Sequence, residues 1–405
     1  MEQICNTNLC TGCSACINVC PKVAIKMEEI GACGYIYPVI DRDRCIDCGL
    51  CAKTCPVNKP VTLNTPQKAF AAISKKKDDL MSSSSGAASS VMASHILANG
   101  GCVYGCVQES YCDISHRRID TPNEAYKIKG SKYVQSNIGY TFKEVKKDLG
   151  EGKKVMFTGT PCQIAGLRNY LRKDYDNLYL IDLVCHGVPS QKLLRDDVDK
   201  IISENGLINK DIKVLFRKKS NKKIVFGLFP YVSKKEEIKL PNKYIAFLNN
   251  NYITAFMAGI TFRENCFVCP YAQSKRNSDI TIADFWGIKE TAIPTSNGVS
   301  LLLANTTKGL ALIEEISDRC QIEERTVEEA IAGNGQLMAP SICPKEREGF
   351  IQEYAIDREW AYSKHLKNYK KAYMRKLYRI KIYLLLTSWK PLHTVLRRIK
   401  RIIKR

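Results

Sequence analysis

The sequence predicts an α+β chain in three parts: a small module built on cysteines, an α/β core, and a basic amphipathic helical tail. Three observations predict it. Eight cysteines between Cys10 and Cys55 fall into two copies of one tight spacing, each closed by proline. From Lys153 onward, apolar runs of strand length alternate with amphipathic runs of helix length. Residues 361–405 hold fifteen Lys and Arg and no Asp or Glu. The chain's net charge is +21, and taking those fifteen away leaves +6 for the preceding 360 residues. The basic character therefore describes the tail and not the body.

In the first part, Cys10, Cys13, Cys16 and Cys20 read C-x2-C-x2-C-x3-C with Pro21 behind, and Cys45, Cys48, Cys51 and Cys55 repeat the run with Pro56 behind. This is the bacterial ligand run for a cubane [4Fe-4S] cluster, and in two-cluster ferredoxins the fourth cysteine of each run serves the other cluster. The expected sets are Cys10, Cys13, Cys16 and Cys55 for one cluster, and Cys45, Cys48, Cys51 and Cys20 for the other. Gly12 and Gly49 supply small residues where backbone crowds a cluster. Zinc sites use paired ligands across a longer spacer, which does not account for a doubled quartet. Cys5 and Cys33 fall outside the pattern and read as small buried residues. Residues 1–57 are thus expected to be a bacterial-ferredoxin-like dicluster domain that moves single electrons. Nineteen cysteines without a secretory signal fit a reducing cytoplasm, and clusters of this kind suggest an anaerobe.

Residues 58–68 read as a linker with two prolines. A strand is expected over 69–73, a small-residue helix over 87–98 after the Ser/Gly stretch 82–86, and a strand over 100–107. Then follow a strand at 154–157, a helix at 162–171, a strand at 178–184 and a helix at 190–203 with Ser190 as N-cap. Residues 212–241 read as antiparallel strands with Lys-rich turns. Strands at 279–284 and 299–304 and a helix at 308–316 complete an α/β core with an antiparallel insertion. No twenty-residue apolar run occurs, so no membrane span is expected.

Four further cysteines sit where loops of an α/β sheet converge. Cys162 opens a helix after Gly159-Thr160-Pro161, a position that favours thiolate. Cys185 follows a strand and precedes His186. Cys266 and Cys269 form C-x2-C before Pro270. Spacing alone leaves both a third [4Fe-4S] cluster and plain packing open.

The segments GSKYVQS at 130–136, GTPCQIAGL at 159–167, CHGVPS at 185–190, CFVCPYA at 266–272 and SDITIADFWG at 278–287 resemble the β-subunit family of coenzyme F-420 hydrogenases and dehydrogenases. The resemblance covers roughly residues 1–345, with the family's two domains expected over 69–150 and 151–345. It implies non-covalent FAD in the core, and a third cluster on Cys162, Cys185, Cys266 and Cys269. The chain has no G-x-G-x-x-G after a strand. Flavin contacts are therefore sought at Ser85, Gly86 and Ser89, where a helix begins, at Ser131, Lys132, Tyr133 and Gln135, and at Asn297, Gly298 and Ser300. A turn or a cap explains each of these equally well. His186 and Asp284 are the catalytic candidates, with a structural role open for both.

The resemblance implies an iron–sulfur flavin-dependent oxidoreductase acting on coenzyme F-420 or another organic substrate. Its electron partner is a ferredoxin or a redox subunit. Bacterial members tied to surface-polysaccharide synthesis widen the substrate range. The alternative is a non-catalytic electron-transfer subunit.

In the tail, Leu392, Val395, Leu396, Ile399, Ile402 and Ile403 form one helical stripe, with Arg397, Arg398, Lys400, Arg401, Lys404 and Arg405 opposite. Tyr373, Leu377, Ile380 and Leu384 extend it upstream, and Trp389 suits an interface. This pattern is expected to lie on an anionic membrane surface, in preference to a partner subunit, and in preference to nucleic acid.

Overall fold

The computed structural model describes residues 3–207, 212–220, 223–233, 236–238, 240 and 247–388. Two compact units make up the chain, one ending at Pro344 and one starting at Lys345.

The first unit opens with helix α1 (Ala15–Val19), strands β1 (Ile25–Ile30) and β2 (Tyr35–Ile40), and helix α2 (Leu50–Thr54). β1 and β2 form an antiparallel hairpin pairing Ile25 with Ile40 and Ile30 with Tyr35. The doubled cysteine run is also doubled in backbone. Gly12 (φ 66°) and Ser14 (φ 63°) flank Cys13, and Asp47 (φ 50°) and Gly49 (φ 69°) flank Cys48. Each loop therefore turns through the left-handed region on both sides of its second cysteine. Such alternation aims successive N–H groups into a concavity suited to an anion.

The core continues with β3 (Lys68–Ser74), α3 (Lys77–Ser82), α4 (Ala88–Ala98), β4 (Cys102–Ser110), β5 (Asp113–Ile119), α5 (Thr141–Gly150), β6 (Val155–Gly159), α6 (Pro161–Leu171), β7 (Leu178–Leu183) and α7 (Gln191–Glu204). An antiparallel insertion follows, of β8 (Lys213–Ser220), β9 (Lys223–Ser233) and β10 (Glu236–Glu237). Then come α8 (Asn251–Met257), β11 (Ile280–Asp284), β12 (Ser300–Ala304), α9 (Thr307–Glu315), β13 (Cys320–Arg325) and α10 (Val327–Gly333).

Eight strands form one sheet in the order β13-β3-β12-β11-β7-β6-β4-β5. The inner four, β11, β7, β6 and β4, are parallel; β12, β3 and β13 extend one side antiparallel and β5 the other. Both faces are covered, which explains the unbroken apolar runs. Side chains alternate faces along each strand: Val103 and Met156 pack with Met92 and Ile96 of α4, whereas Tyr104 and Phe157 pack with Phe142 of α5 and Ile164 of α6. The C-terminal ends of the parallel strands lead directly into Thr160-Pro161-Cys162, Cys185-His186 and Phe285-Trp286.

The second unit contains α11 (Arg347–Tyr354) and α12 (Arg358–Ser388). Phe350 packs on Tyr362, with ring centroids 5.2 Å apart. Among the described residues, no helix is long and apolar enough to cross a membrane. Tyr373 and Leu377 lie on α12. The side chains of Ile380 and Leu384, Trp389, and the whole basic stripe from Leu392 to Arg405 lie outside what is described.

Candidate functional site

Cys20, Cys45, Cys48 and Cys51 line a single recess of about 380 Å³ with Pro21, Ile40 and Gly49. This is the grouping expected when the fourth cysteine of one run crosses to the other. Cys48 is exposed, so this site reaches the surface. Cys10, Cys13, Cys16 and Cys55 are buried. Burial pushes the Cys13 thiol up to about 12, and Cys55 and Cys10 add to it. Cys16 is raised by burial and then by Cys13, Cys10 and Cys55. Cys10 and Cys55 are instead lowered, to about 6 and about 7, first by the neighbouring Cys5 thiol; four mutually interacting sulfurs in the spacing of a ferredoxin run fit an iron–sulfur cluster. Cys5 is half-buried and packs against the group that holds Cys16 and Cys55, as a small apolar residue would; its nearness to Cys55, fifty residues away, is not revealed by spacing.

The four core cysteines come from three separate segments. Thr160 and Gln163 form a reciprocal capping box at the start of α6, with Pro161 in its first turn, and Thr160 Oγ1 lies 3.1 Å from Cys162 Sγ. Cys185 leaves β7. Cys266 and Cys269 flank a helical turn, Glu264–Val268. All four line one recess of about 430 Å³. Its wall also contains His186, Arg263 and Thr11, the last from the loop between Cys10 and Cys13. Burial pushes Cys162 up to about 11 and Cys266 up to about 12, and the neighbouring thiols reinforce both. Among the described residues, no three Cys, His, Asp or Glu side chains gather on a single metal ion. Tyr271, buried just after Cys269, feels Cys162 and Cys269 of this set and Cys13 and Cys55 of the other.

A buried charge pair lies near Cys269, where burial raises the thiol and Arg276 favours the thiolate. Asp182 of β7 and Arg276 are both fully buried and pair at 2.9 Å. Arg276 also donates to the carbonyls of Tyr271 and Leu183, tying the loop after Cys269 to the sheet. Nothing in the local sequence marks this pair, because its partners lie 94 residues apart.

Most of the flavin candidates gather in a second locus. Ser131 N–H donates to Ser84 Oγ at 2.7 Å, Ser85 Oγ to the Val299 carbonyl, and Ala88 N–H to Ser300 Oγ. Gly298, with φ +82°, packs against Ser85. Gly86 fits between strands: a β carbon there would stand 2.1 Å from the Ala72 carbonyl. Its smallness serves backbone packing, and Ser300 already caps one free N–H at the start of α4. Asp284 Oδ2 pairs with Arg217 Nη1 at 2.6 Å, and the guanidinium lies over Phe226 (4.5 Å) and Tyr133 (5.4 Å). Lys219 Nζ donates to the carbonyls of Leu80 and Ser85, and burial lowers it to about 8. Arg217 and Lys219 escape sequence reading. Their signal is an i, i+2 spacing on one face of a strand, hidden within a Lys-rich stretch. Burial lowers His186, Arg217 lowers it further, and Asp284 opposes them, so His186 stands between this locus and the core recess.

Four candidates lie elsewhere or make no contact there. Lys132 Nζ turns inward to the carbonyls of Cys106 and Lys129. Gln135 donates to the Thr11 carbonyl of the cysteine module. Ser89 and Asn297 are half-buried, on the first turn of α4 and in the turn before Gly298.

Residues 152–330 match the family described as coenzyme F420 hydrogenase/dehydrogenase, C terminus of the beta subunit. Residues 9–59 match the 4Fe-4S dicluster domain. Over these residues, the chain is similar to that β-subunit family. A curated relative, the uncharacterized protein MJ1349 of Methanocaldococcus jannaschii, is 26% identical over 305 residues, covering 66% of this chain and 78% of the relative. A chain from the xenon-derivatized F420-reducing [NiFe] hydrogenase complex of Methanosarcina barkeri aligns with a TM-score of 0.42 at 15% identity, over 76% of this chain and 93% of that one. The chain thus carries an N-terminal [4Fe-4S] dicluster domain ahead of a segment similar to the β subunit of an oxidoreductase-associated family.

Proposed function

We propose that the chain is an iron–sulfur flavoprotein oxidoreductase. Cys20, Cys45, Cys48 and Cys51 would hold the exposed cluster facing a ferredoxin or a redox subunit, Cys10, Cys13, Cys16 and Cys55 a buried second, and Cys162, Cys185, Cys266 and Cys269 a third [4Fe-4S] cluster; together they would supply single-electron transfer. The observation that carries this reading is the shared recess of the four core cysteines, with Thr11 of the dicluster loop in its wall. Cysteines from three distant segments converge there beside the dicluster loop, as the ligands of one shared group would.

FAD is proposed for the locus around Ser85, Ser131, Tyr133, Arg217 and Asp284. The residues fit such a group: Arg217 Nε is buried without a hydrogen bond, and Tyr133 Oη has none of ordinary geometry. FAD supplies conversion between hydride pairs and single electrons when bound. Arg217 would donate to an acceptor edge of the ring, Asp284 would fix the guanidinium, and the aromatic faces of Tyr133 and Phe226 would exclude water. His186 would insulate the passage between ring and core cysteines. The substrate is coenzyme F-420 or another organic acceptor, surface-polysaccharide precursors included.

Anaerobic turnover tests this. The isolated chain, given FAD and reduced ferredoxin, should reduce coenzyme F-420 or a screened acceptor catalytically. Clusters without flavin, with activity only in a complex, would make the chain an electron-transfer subunit.

For the tail we propose a peripheral site on the cytoplasmic face of the membrane. Residues 358–388 carry nine Lys and Arg against one acidic residue, and each cation near an anionic surface contributes about 1 kcal/mol. Co-sedimentation with phosphatidylglycerol vesicles but not phosphatidylcholine vesicles, lost on truncation after Asp357, is the expected result.

A further inference from the structure

Arg263 is 1% exposed. Its Nη1 donates to the Ile36 carbonyl (2.8 Å) and Gln135 Oε1 (3.1 Å), its Nη2 to the Cys10 carbonyl (2.9 Å), and its Nε to Asn265 Oδ1 (3.3 Å). The guanidinium lies 4.5 Å from the Tyr37 ring centroid. All of these partners are neutral. Among the described residues, no carboxylate lies within ion-pair distance of it. A buried guanidinium keeps its charge, and a buried charge without a counter-charge is costly by several kcal/mol.

Its position indicates where the counter-charge lies. Arg263 lines the core recess and also grips the dicluster loop at Cys10. The outer recess has Lys22 in its wall and does not include Arg263.

We propose that Arg263 is the shared counter-charge of two clusters, the one on Cys10, Cys13, Cys16 and Cys55 and the one on the four core cysteines, and that it raises the reduction potential of both relative to the outer cluster. The core half of this rests on the third cluster proposed above. A [4Fe-4S] unit held by four thiolates is a dianion when oxidised and a trianion after gaining one electron. A fixed cation stabilises the trianion more, so reduction is favoured with no proton transferred. Electrons arriving at the exposed cluster then run inward toward the core.

The test is an EPR-monitored dithionite titration of anaerobically purified holoprotein, with the outer cluster assigned by its loss in Cys48→Ser. In Arg263→Gln, the equilibrium constant for one-electron reduction should fall at least tenfold at the two inner clusters, which is about 59 mV in midpoint, and stay unchanged at the outer one. Arg263→Lys should retain most of the wild-type midpoints. Asn265→Asp places a carboxylate on Arg263 Nε without removing the guanidinium, and should lower the same two midpoints; it decides the matter if Arg263→Gln fails to hold iron. Unmoved inner midpoints in Asn265→Asp, or equal shifts at all three clusters in Arg263→Gln, would overturn the proposal. A wild-type iron content of about eight per chain, with the shift kept at the Cys10 set, would remove the core cluster and leave Arg263 as the counter-charge of one.

Discussion

Gly166 of α6 and Cys13 of the dicluster loop meet with no room between them. A β carbon on Gly166 would stand 2.9 Å from Cys13 Sγ and 3.0 Å from Cys13 Cβ. Cys162 lies four residues earlier on the same helix, hence on the same face and about 6 Å along the axis. One helix thus carries a core cysteine at its start and a seat for a dicluster cysteine one turn later.

That contact sets the sign of a simple substitution. In an exposed helix, Gly→Ala is stabilising by about 1 kcal/mol. Here the added methyl meets a sulfur, and overpacking of this kind costs about 1–3 kcal/mol. Gly166→Ala should lower the thermal midpoint and reduce bound iron. A raised midpoint with full iron would show that the loop and helix are not in contact.

The Asp182–Arg276 pair should behave as a buried staple. Arg276→Met leaves a fully buried carboxylate alone, a loss of about 3–5 kcal/mol, whereas Asp182→Asn with Arg276→Met should recover much of it. Denaturant midpoints of the single and double variants measure this, and equal losses in both would contradict the pairing. Because Arg276 holds the loop after Cys269, the single variant should also lose iron.

His116 gives a pH dependence. Its ring is buried, with Nε2 2.8 Å from the Thr158 carbonyl and Nδ1 3.0 Å from Ser136 Oγ. A carbonyl only accepts, so Nε2 carries the proton and Nδ1 accepts from Ser136. Burial lowers the group from 6.5 to about 4, with the Thr158 bond opposing and Lys132 assisting. The unfolded chain therefore binds the proton first as pH falls. The stabilising contribution is complete above about pH 6.5 and is lost progressively down to about pH 4, reaching roughly 3 kcal/mol. His116→Gln, which keeps a donor and an acceptor, should flatten unfolding free energy against pH across that window. An unchanged slope would contradict the assignment.

How far the sequence discloses this molecule depends on the range of each signal. The cysteine runs state their own grouping, since a C-x3-C-P reach is a local rule. Ser190 capping α7 through Leu193 N–H is legible for the same reason, as is the strand–helix rhythm from β6 onward. Cys5 beside Cys55, Arg276 beside Asp182 and Arg263 beside Cys10 are not legible. Each joins residues distant in sequence, and the residue types involved are common. Gly86 and Ser300 look open to a ligand in the sequence, and the fold engages both in backbone packing and capping. Lys132, a donor for a ligand by its sequence setting, spends its ammonium on the carbonyls of Cys106 and Lys129.

Arg217 is the residue on which the flavin locus should depend most. Arg217→Met leaves Asp284 unpaired and removes the donor at Nε, so FAD affinity measured by flavin fluorescence should fall about tenfold or more, the cost of a lost charge-assisted hydrogen bond. Lys132→Met should leave affinity unchanged. Equal affinities for wild type and Arg217→Met would move the flavin elsewhere.

The central claim is that the core cysteines hold a third cluster next to a flavin. Anaerobic purification followed by quantification of iron, acid-labile sulfide and released flavin, for wild type and for Cys266→Ser with Cys269→Ser, tests it most directly. The account predicts about twelve iron and one FAD per wild-type chain, with about four iron lost in the double variant. About eight iron in both proteins, with no flavin retained after incubation with FAD, would contradict it.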